Sequence, residues 1–151
     1  MGLEILKHPN PTLFEPSHSV RELDDELQAF IVQMIATMKE HSALGLAAPQ
    51  VGVLKKIVVM EVDGWQRVMI NPEIKTYSDL TVQIEEGCLS CPEKQKVQRS
   101  LLVRVEYKNL KWERTRETLQ GLPAIVAQHE IDHLSGITIV ERAREIPPNP
   151  E

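Results

Sequence analysis

Gln128-His129-Glu130-Ile131-Asp132-His133-Leu134 contains a His-Glu-x-x-His pattern. Upstream lies Gly121-Leu122-Pro123, with a proline suited to a first helical turn, and downstream lies Gly136, suited to a helix stop. The stretch between them is expected to be helical. Residues four apart share one face of a helix, so His129 and His133 can grip a single metal ion. Glu130, one residue on, stands beside the ion without binding it. There it can accept a proton from water that the ion activates. Leu122, Ile125, Val126, His129 and His133 fall on one largely apolar face, and imidazoles on a buried face need hydrogen-bond or metal partners. The competing reading is a surface helix carrying two exposed histidines.

Two imidazoles do not complete a catalytic metal site. Downstream the chain offers Glu141 and Glu145 but no further histidine; upstream it offers Cys88, within Glu85-Glu86-Gly87-Cys88-Leu89-Ser90-Cys91-Pro92. One thiolate and two imidazoles suit a tetrahedral ion with an open position. They do not suit a hard ion that wants only oxygen. Cys91 keeps a rival open: Cys88, Cys91, His129 and His133 as a closed structural zinc site. The long spacer from Cys91 to His129 does not match a zinc finger. A second rival is a zinc endopeptidase built on the same helix, although such helices usually take their third ligand from downstream.

Working outward, Leu23, Leu27, Phe30, Ile31, Met34, Ile35 and Met38 recur at helical spacing and predict an amphipathic helix over 22–40. Residues 8–16 carry three prolines and are expected to be extended rather than helical. Residues 43–52 are small and uncharged and end in a turn. Residues 57–60 and 68–70 read as strands joined by an Asp63-Gly64 turn, the second broken by Asn71-Pro72. Residues 81–84 and 101–107 are further strands, with 115–119 set to pair with the latter. The tail, 146–151, is expected to fray. The fold class is therefore α+β, a strand-rich middle between two helices, organised as one domain over 1–151.

Composition narrows the function. The chain of 151 residues has 17 basic and 22 acidic side chains, a net charge of −5, and only two Trp, two Tyr and two Phe. Nucleic-acid binding draws on basic stripes or aromatic platforms, so no direct nucleic-acid partner is expected. No apolar run approaches a membrane span, and the N-terminus lacks the pattern of a signal peptide. Two cysteines make no disulfide framework, which points to a cytoplasmic location.

Ala43-Leu44-Gly45-Leu46-Ala47-Ala48-Pro49-Gln50, Glu86-Gly87-Cys88-Leu89-Ser90 and Gln128–His133 together resemble the three motifs of the peptide deformylases, in the same order. The lead-in Ile5–Leu13 and Ile70-Asn71-Pro72 are also similar, so the likeness covers most of residues 3–141. The resemblance implies antiparallel sheets around the metal-bearing helix. It implies removal of the formyl group from the N-terminal formyl-methionine of nascent chains by metal-activated water. By the same resemblance, Cys88, His129 and His133 bind one divalent ion, ferrous iron first, with zinc or nickel as substitutes. Glu130 is the general acid and base, and Gln50 and the Leu89 N–H bind the oxyanion. Gly45 and its neighbours bind the substrate backbone, Gly45 because a side chain would block a peptide running close by. Leu44, Ile84, Leu122, Ile125 and Val126 are expected to wall a methionine pocket. Glu86 is counted among the substrate-binding residues and is expected to pair with an arginine, with Arg99 the candidate. The partners implied are N-formylmethionyl peptides, acted on by a monomer.

The chain departs from the family at two places. Ala43 stands where glycine is usual, tolerable if its φ is negative. Cys91 replaces a usually apolar residue and is expected to act as a small buried hydrophobe. Charged Glu93–Lys96 is expected to edge the substrate opening. Residues 137–151 leave no room for the long C-terminal helix of many members, so a compact, phage-like form is implied.

Overall fold

The computed structural model describes residues 2–146. Its first helix, α1, spans Asp25–Glu40 and buries Leu27, Ile31, Met34 and Met38, the stripe that the sequence spacing predicts. It starts three residues later than expected because Asp24 is the cap: its carboxylate accepts the Leu27 N–H at 2.8 Å. The proline-rich lead-in is not wholly extended. Pro11–Phe14 forms a short 3₁₀ turn, capped by Asn10, whose side chain accepts the Thr12 N–H.

Among the described residues seven strands follow: β1 Gly45–Ala47, β2 Ile57–Val62, β3 Trp65–Tyr77, β4 Thr81–Cys88, β5 Cys91–Ser100, β6 Leu102–Lys108 and β7 Arg114–Gln120. A 3₁₀ turn, Ala48–Val51, follows β1. Strands β1, β2, β3, β6 and β7 form one antiparallel sheet in that order, and β4 and β5 form a separate two-stranded sheet. The β2–β3 hairpin turns at Asp63-Gly64, as the sequence predicts, with both residues at positive φ.

Asn71-Pro72 does not end β3. The register shifts between Ile70 and Glu73, so a bulge absorbs the proline that cannot donate to the ladder. Asn71 adopts φ 53°, and its side chain pairs with the Val20 backbone at both its N–H and its carbonyl, each at 2.8 Å. That pairing ties the N-terminal segment to the sheet. The charged run Glu93–Lys96, expected as an edge to the opening, belongs to strand β5.

The large sheet has a packed layer on each face. Val58, Met60 and Val62 of β2 join the core beneath the second helix, α2 Leu122–Leu134, while Ile57 and Val59 join the core beneath α1. This alternation is the period-2 signature of a strand buried on both faces. Helix α2 lies between this sheet and the β4–β5 hairpin, which explains why it is buried nearly all round.

A third helix, α3 Ile139–Ala143, was not foreseen. It is capped by Thr138 and Glu141 and packs Ile139 and Val140 against Cys91 and Val97 of β5. The expected fraying concerns residues 147–151, which lie outside the described residues, as well as Ile146.

Gly136 sits just beyond α2 with φ 74°, and a Cβ there would meet the Phe14 carbonyl, 2.6 Å from its carbon. Alanine at 136 therefore carries the left-handed backbone cost and a clash with main chain. The expected loss is about 2–5 kcal/mol, read from the urea midpoint of Gly136→Ala against the parent chain.

Candidate metal centre

Helix α2 presents His129 and His133 on one face, with ring centroids 5.2 Å apart. The end of β4 brings Cys88 to them, and the donor atoms of Cys88, His129 and His133 lie within 4.8 Å of one another. Among the described residues this is the group that could hold an ion, and Cys91 is not part of it. The donor set fits a transition metal. His129 Nδ1 donates to Glu86 Oε1 at 2.8 Å, which leaves Nε2 free to bind. His133 Nε2 lies 3.5 Å from Cys88 Sγ, while its buried Nδ1 has no hydrogen-bond partner among the described residues.

Glu86 is held in turn by Arg99. The guanidinium donates from Nε at 2.8 Å and from Nη2 at 3.0 Å, a two-pronged bond that matches the expected pairing. Arg99 Nη1 also donates to Asp132 Oδ2 at 2.6 Å, and Arg142 of α3 closes on the same carboxylate from Nε at 2.9 Å and Nη2 at 2.7 Å. Arg99 is only 3% exposed and Glu86 8%. Burial alone would raise the Glu86 carboxyl, but the hydrogen bonds from His129 and Arg99 outweigh it and hold it below the usual carboxylate range. Asp132 and Arg142 were not foreseen as part of this network.

Glu130 is 5% exposed, and one of its carboxylate oxygens has no partner among the described residues. The other lies 4.0 Å from His129 Nε2. Burial pushes its carboxyl up to about 7, the range in which one group both accepts and returns a proton near neutrality. The two imidazoles differ. Burial holds His133 well below the usual value, whereas at His129 burial is outweighed by the Glu130 and Glu86 carboxylates and the net shift is upward.

Gly45 passes directly over Glu130: a Cβ at 45 would sit 2.6 Å from Glu130 Oε2 and 2.7 Å from its Cγ. Gln50 caps its own 3₁₀ turn by accepting the Ala47 N–H at 2.9 Å, and this fixes its amide. Its Nε2 then points to Ser90 Oγ at 3.1 Å and Cys88 Sγ at 3.5 Å. The capping role and the site-facing donor thus belong to one conformation.

These residues line a cavity of about 410 Å³. Leu44, Gly45, Gln50, Ile84, Glu86, Cys88, Leu89, Leu122, Ile125, Val126, His129 and Glu130 all reach it, whereas His133 is not part of its lining. His41, Ser42, Glu85 and Gly87 also line it and were missed, since rim residues carry no spacing signal of their own. Ala43 lines the cavity too and is not among the residues at positive φ, so its methyl group is accommodated.

An α+β fold with a Cys-His-His donor cluster, a His-Glu-x-x-His helix and an adjoining cleft defines a metallohydrolase. The polypeptide deformylase family model matches residues 2–149. The chain is 43% identical over 136 residues to the peptide deformylase of Thermotoga neapolitana, covering 89% of this chain and 83% of that one. It superposes on the crystal structure of peptide deformylase from Thermotoga maritima with a TM-score of 0.92 at 39% identity, covering 98% and 99% of the two chains. A Met-Ala-Ser-bound class I type b peptide deformylase from Acinetobacter baumannii matches with a TM-score of 0.89 at 35% identity, covering 94% and 98%. The chain belongs to the peptide deformylase family, metalloenzymes that remove the formyl group from the N-terminus of nascent polypeptides. Among the described residues no helix is long and apolar enough to cross a membrane.

Proposed function

We propose that Cys88, His129 and His133 hold one divalent ion and that the chain, acting as a single catalytic domain and a monomer in the cytoplasm, deformylates N-formylmethionyl peptides without engaging nucleic acid. The observation that carries this reading is the Cys-His-His cluster opening beside Glu130 onto an apolar cleft. Ferrous iron is the proposed native ion, with zinc or nickel as substitutes that the same soft donors accept. The bound ion supplies Lewis acidity, polarising the formyl group and lowering the pKa of the attacking water.

The chain's own residues do the rest. Strand β1 is an edge of the large sheet and β4 has one unpaired edge, and both border the cleft. A peptide enters as an extended strand between them. Gly45 lets its backbone pass close to Glu130. The methionine side chain packs among Leu44, Ile84, Leu122, Ile125 and Val126. Gln50 Nε2 and the Leu89 N–H donate to the formyl oxygen as it gains negative charge. Glu130 takes a proton from the attacking water and returns it to the departing amine.

The test is formate release from formyl-Met-Ala-Ser by metal-loaded protein; absence of formate overturns the reading. In the same assay Gln50→Leu is expected to lower turnover by about 10²–10³-fold, the worth of one oxyanion donor, with metal content unchanged. Equal turnover would remove Gln50 from that role.

A further inference from the structure

Cys88 and Cys91 are direct partners across the β4–β5 hairpin, joined by the two-residue loop Leu89-Ser90. Opposed residues in an antiparallel pair have Cα atoms about 4.5–5.5 Å apart, within the range of about 4.4–6.8 Å that a disulfide spans. The two sulfurs face different surroundings. Cys88 lines the cleft, where a small solute reaches it. Cys91 is 9% exposed, packed behind it against Val97 and Ile139, and is not in the donor cluster. The metallohydrolase reading gives Cys91 no part.

We propose that Cys88 and Cys91 form a peroxide-sensitive dithiol, in which a hydroperoxide entering the cleft converts the pair to an intramolecular disulfide. The Cys88 sulfur attacks the O–O bond and gains one oxygen as a sulfenic acid, while the remainder of the peroxide leaves as water or an alcohol. The Cys91 sulfur then attacks the sulfenic sulfur, the S–S bond forms, the S–O bond breaks, and a second water leaves. Two thiols and one hydrogen peroxide thus give one disulfide and two waters. The pair is oxidised by two electrons and the peroxide is reduced by two.

The consequence rests on the proposed metal site. Cys88 is removed from the donor set, two imidazoles remain, and the ion is released. Cys91 also limits damage, because a disulfide is reducible whereas further oxidation of a lone sulfenic acid to sulfinic acid is not. A chain without Cys91 is inactivated as readily but does not recover.

The experiment treats zinc-loaded, full-length protein with excess hydrogen peroxide and follows intact mass, zinc release to a chromophoric chelator and formate production. Wild type is expected to lose about 2 Da, yield a Cys88–Cys91 linked peptide, release its zinc, and regain activity after dithiothreitol and zinc. Cys91→Ala is expected to keep its initial activity. After peroxide it is expected to gain about 32 Da and to stay inactive after dithiothreitol and zinc, because thiols do not reduce a sulfinic acid. A wild type that gains oxygen without forming the linked peptide overturns the proposal, as does a Cys91→Ala chain that recovers as fully as wild type. Should the alanine variant fold poorly, Cys91→Ser serves in its place, and the peptide map of wild type decides alone. Mass and zinc readouts stand whether or not the chain releases formate, so failure here is distinguishable from failure of the deformylase reading.

Discussion

Glu130→Gln is expected to lower formate release by about 10²–10⁴-fold while leaving the metal bound. The substitution keeps the shape of the side chain, so the close packing beneath Gly45 survives. The amide can neither accept the proton of the attacking water nor return it to the amine. Metal content should not change, because Glu130 lies outside the Cys88, His129 and His133 donor group. Formate assay and metal analysis on the same preparation separate the two effects. Unchanged turnover would remove Glu130 from proton transfer, and lost metal would place it among the ligands.

Arg99→Leu is expected to lower stability by about 3–5 kcal/mol. Arg99 is the cation between two partly or fully buried carboxylates; removing it leaves Glu86 with His129 alone and Asp132 with Arg142 alone, each beside an apolar side chain. Urea denaturation measures the loss. Metal affinity is expected to fall as well, by about 10–100-fold, because Glu86 orients His129 only while Arg99 orients Glu86. Zinc titration of the folded variant checks this. A pH consequence follows for wild type. The folded Glu86 carboxyl lies below its unfolded value, so its contribution is fully present above the unfolded carboxylate pKa of about 4.3. That contribution is lost as the pH falls through the lower folded value. A variant equal to wild type in urea and in zinc affinity would show that the ion-pair chain has no structural weight.

The helix of the metal centre was legible because its spacing is local: His129 and His133 four apart, proline before and glycine after. Cys88 was legible from donor chemistry together with the motif resemblance. The arms of the ion-pair chain were legible to different degrees. Glu86 lies in a motif, but Asp132 and Arg142 meet only because α3 folds back on α2, and nothing in their spacing announces that contact. Strand β5 escaped notice because Pro92-Glu93-Lys94-Gln95-Lys96 is polar and solvent-facing, with Val97 as its deepest apolar anchor. Asn71-Pro72 read as a strand break because proline cannot donate to a ladder. The chain instead bulges there and uses the Asn71 side chain to pair with Val20.

The placement of the donors bears on how the molecule is made. Cys88 belongs to the β4–β5 hairpin, and both of its strands are synthesised before α2 begins. Its imidazole partner His133 lies 45 positions later. At about 5–20 residues per second of synthesis, the thiol waits about 2–9 s for its nitrogen partners. With the proposed ligand set, ion capture is therefore a late step of biogenesis. Until then the nascent enzyme depends on the reducing capacity of its surroundings to deliver Cys88 as a free thiol.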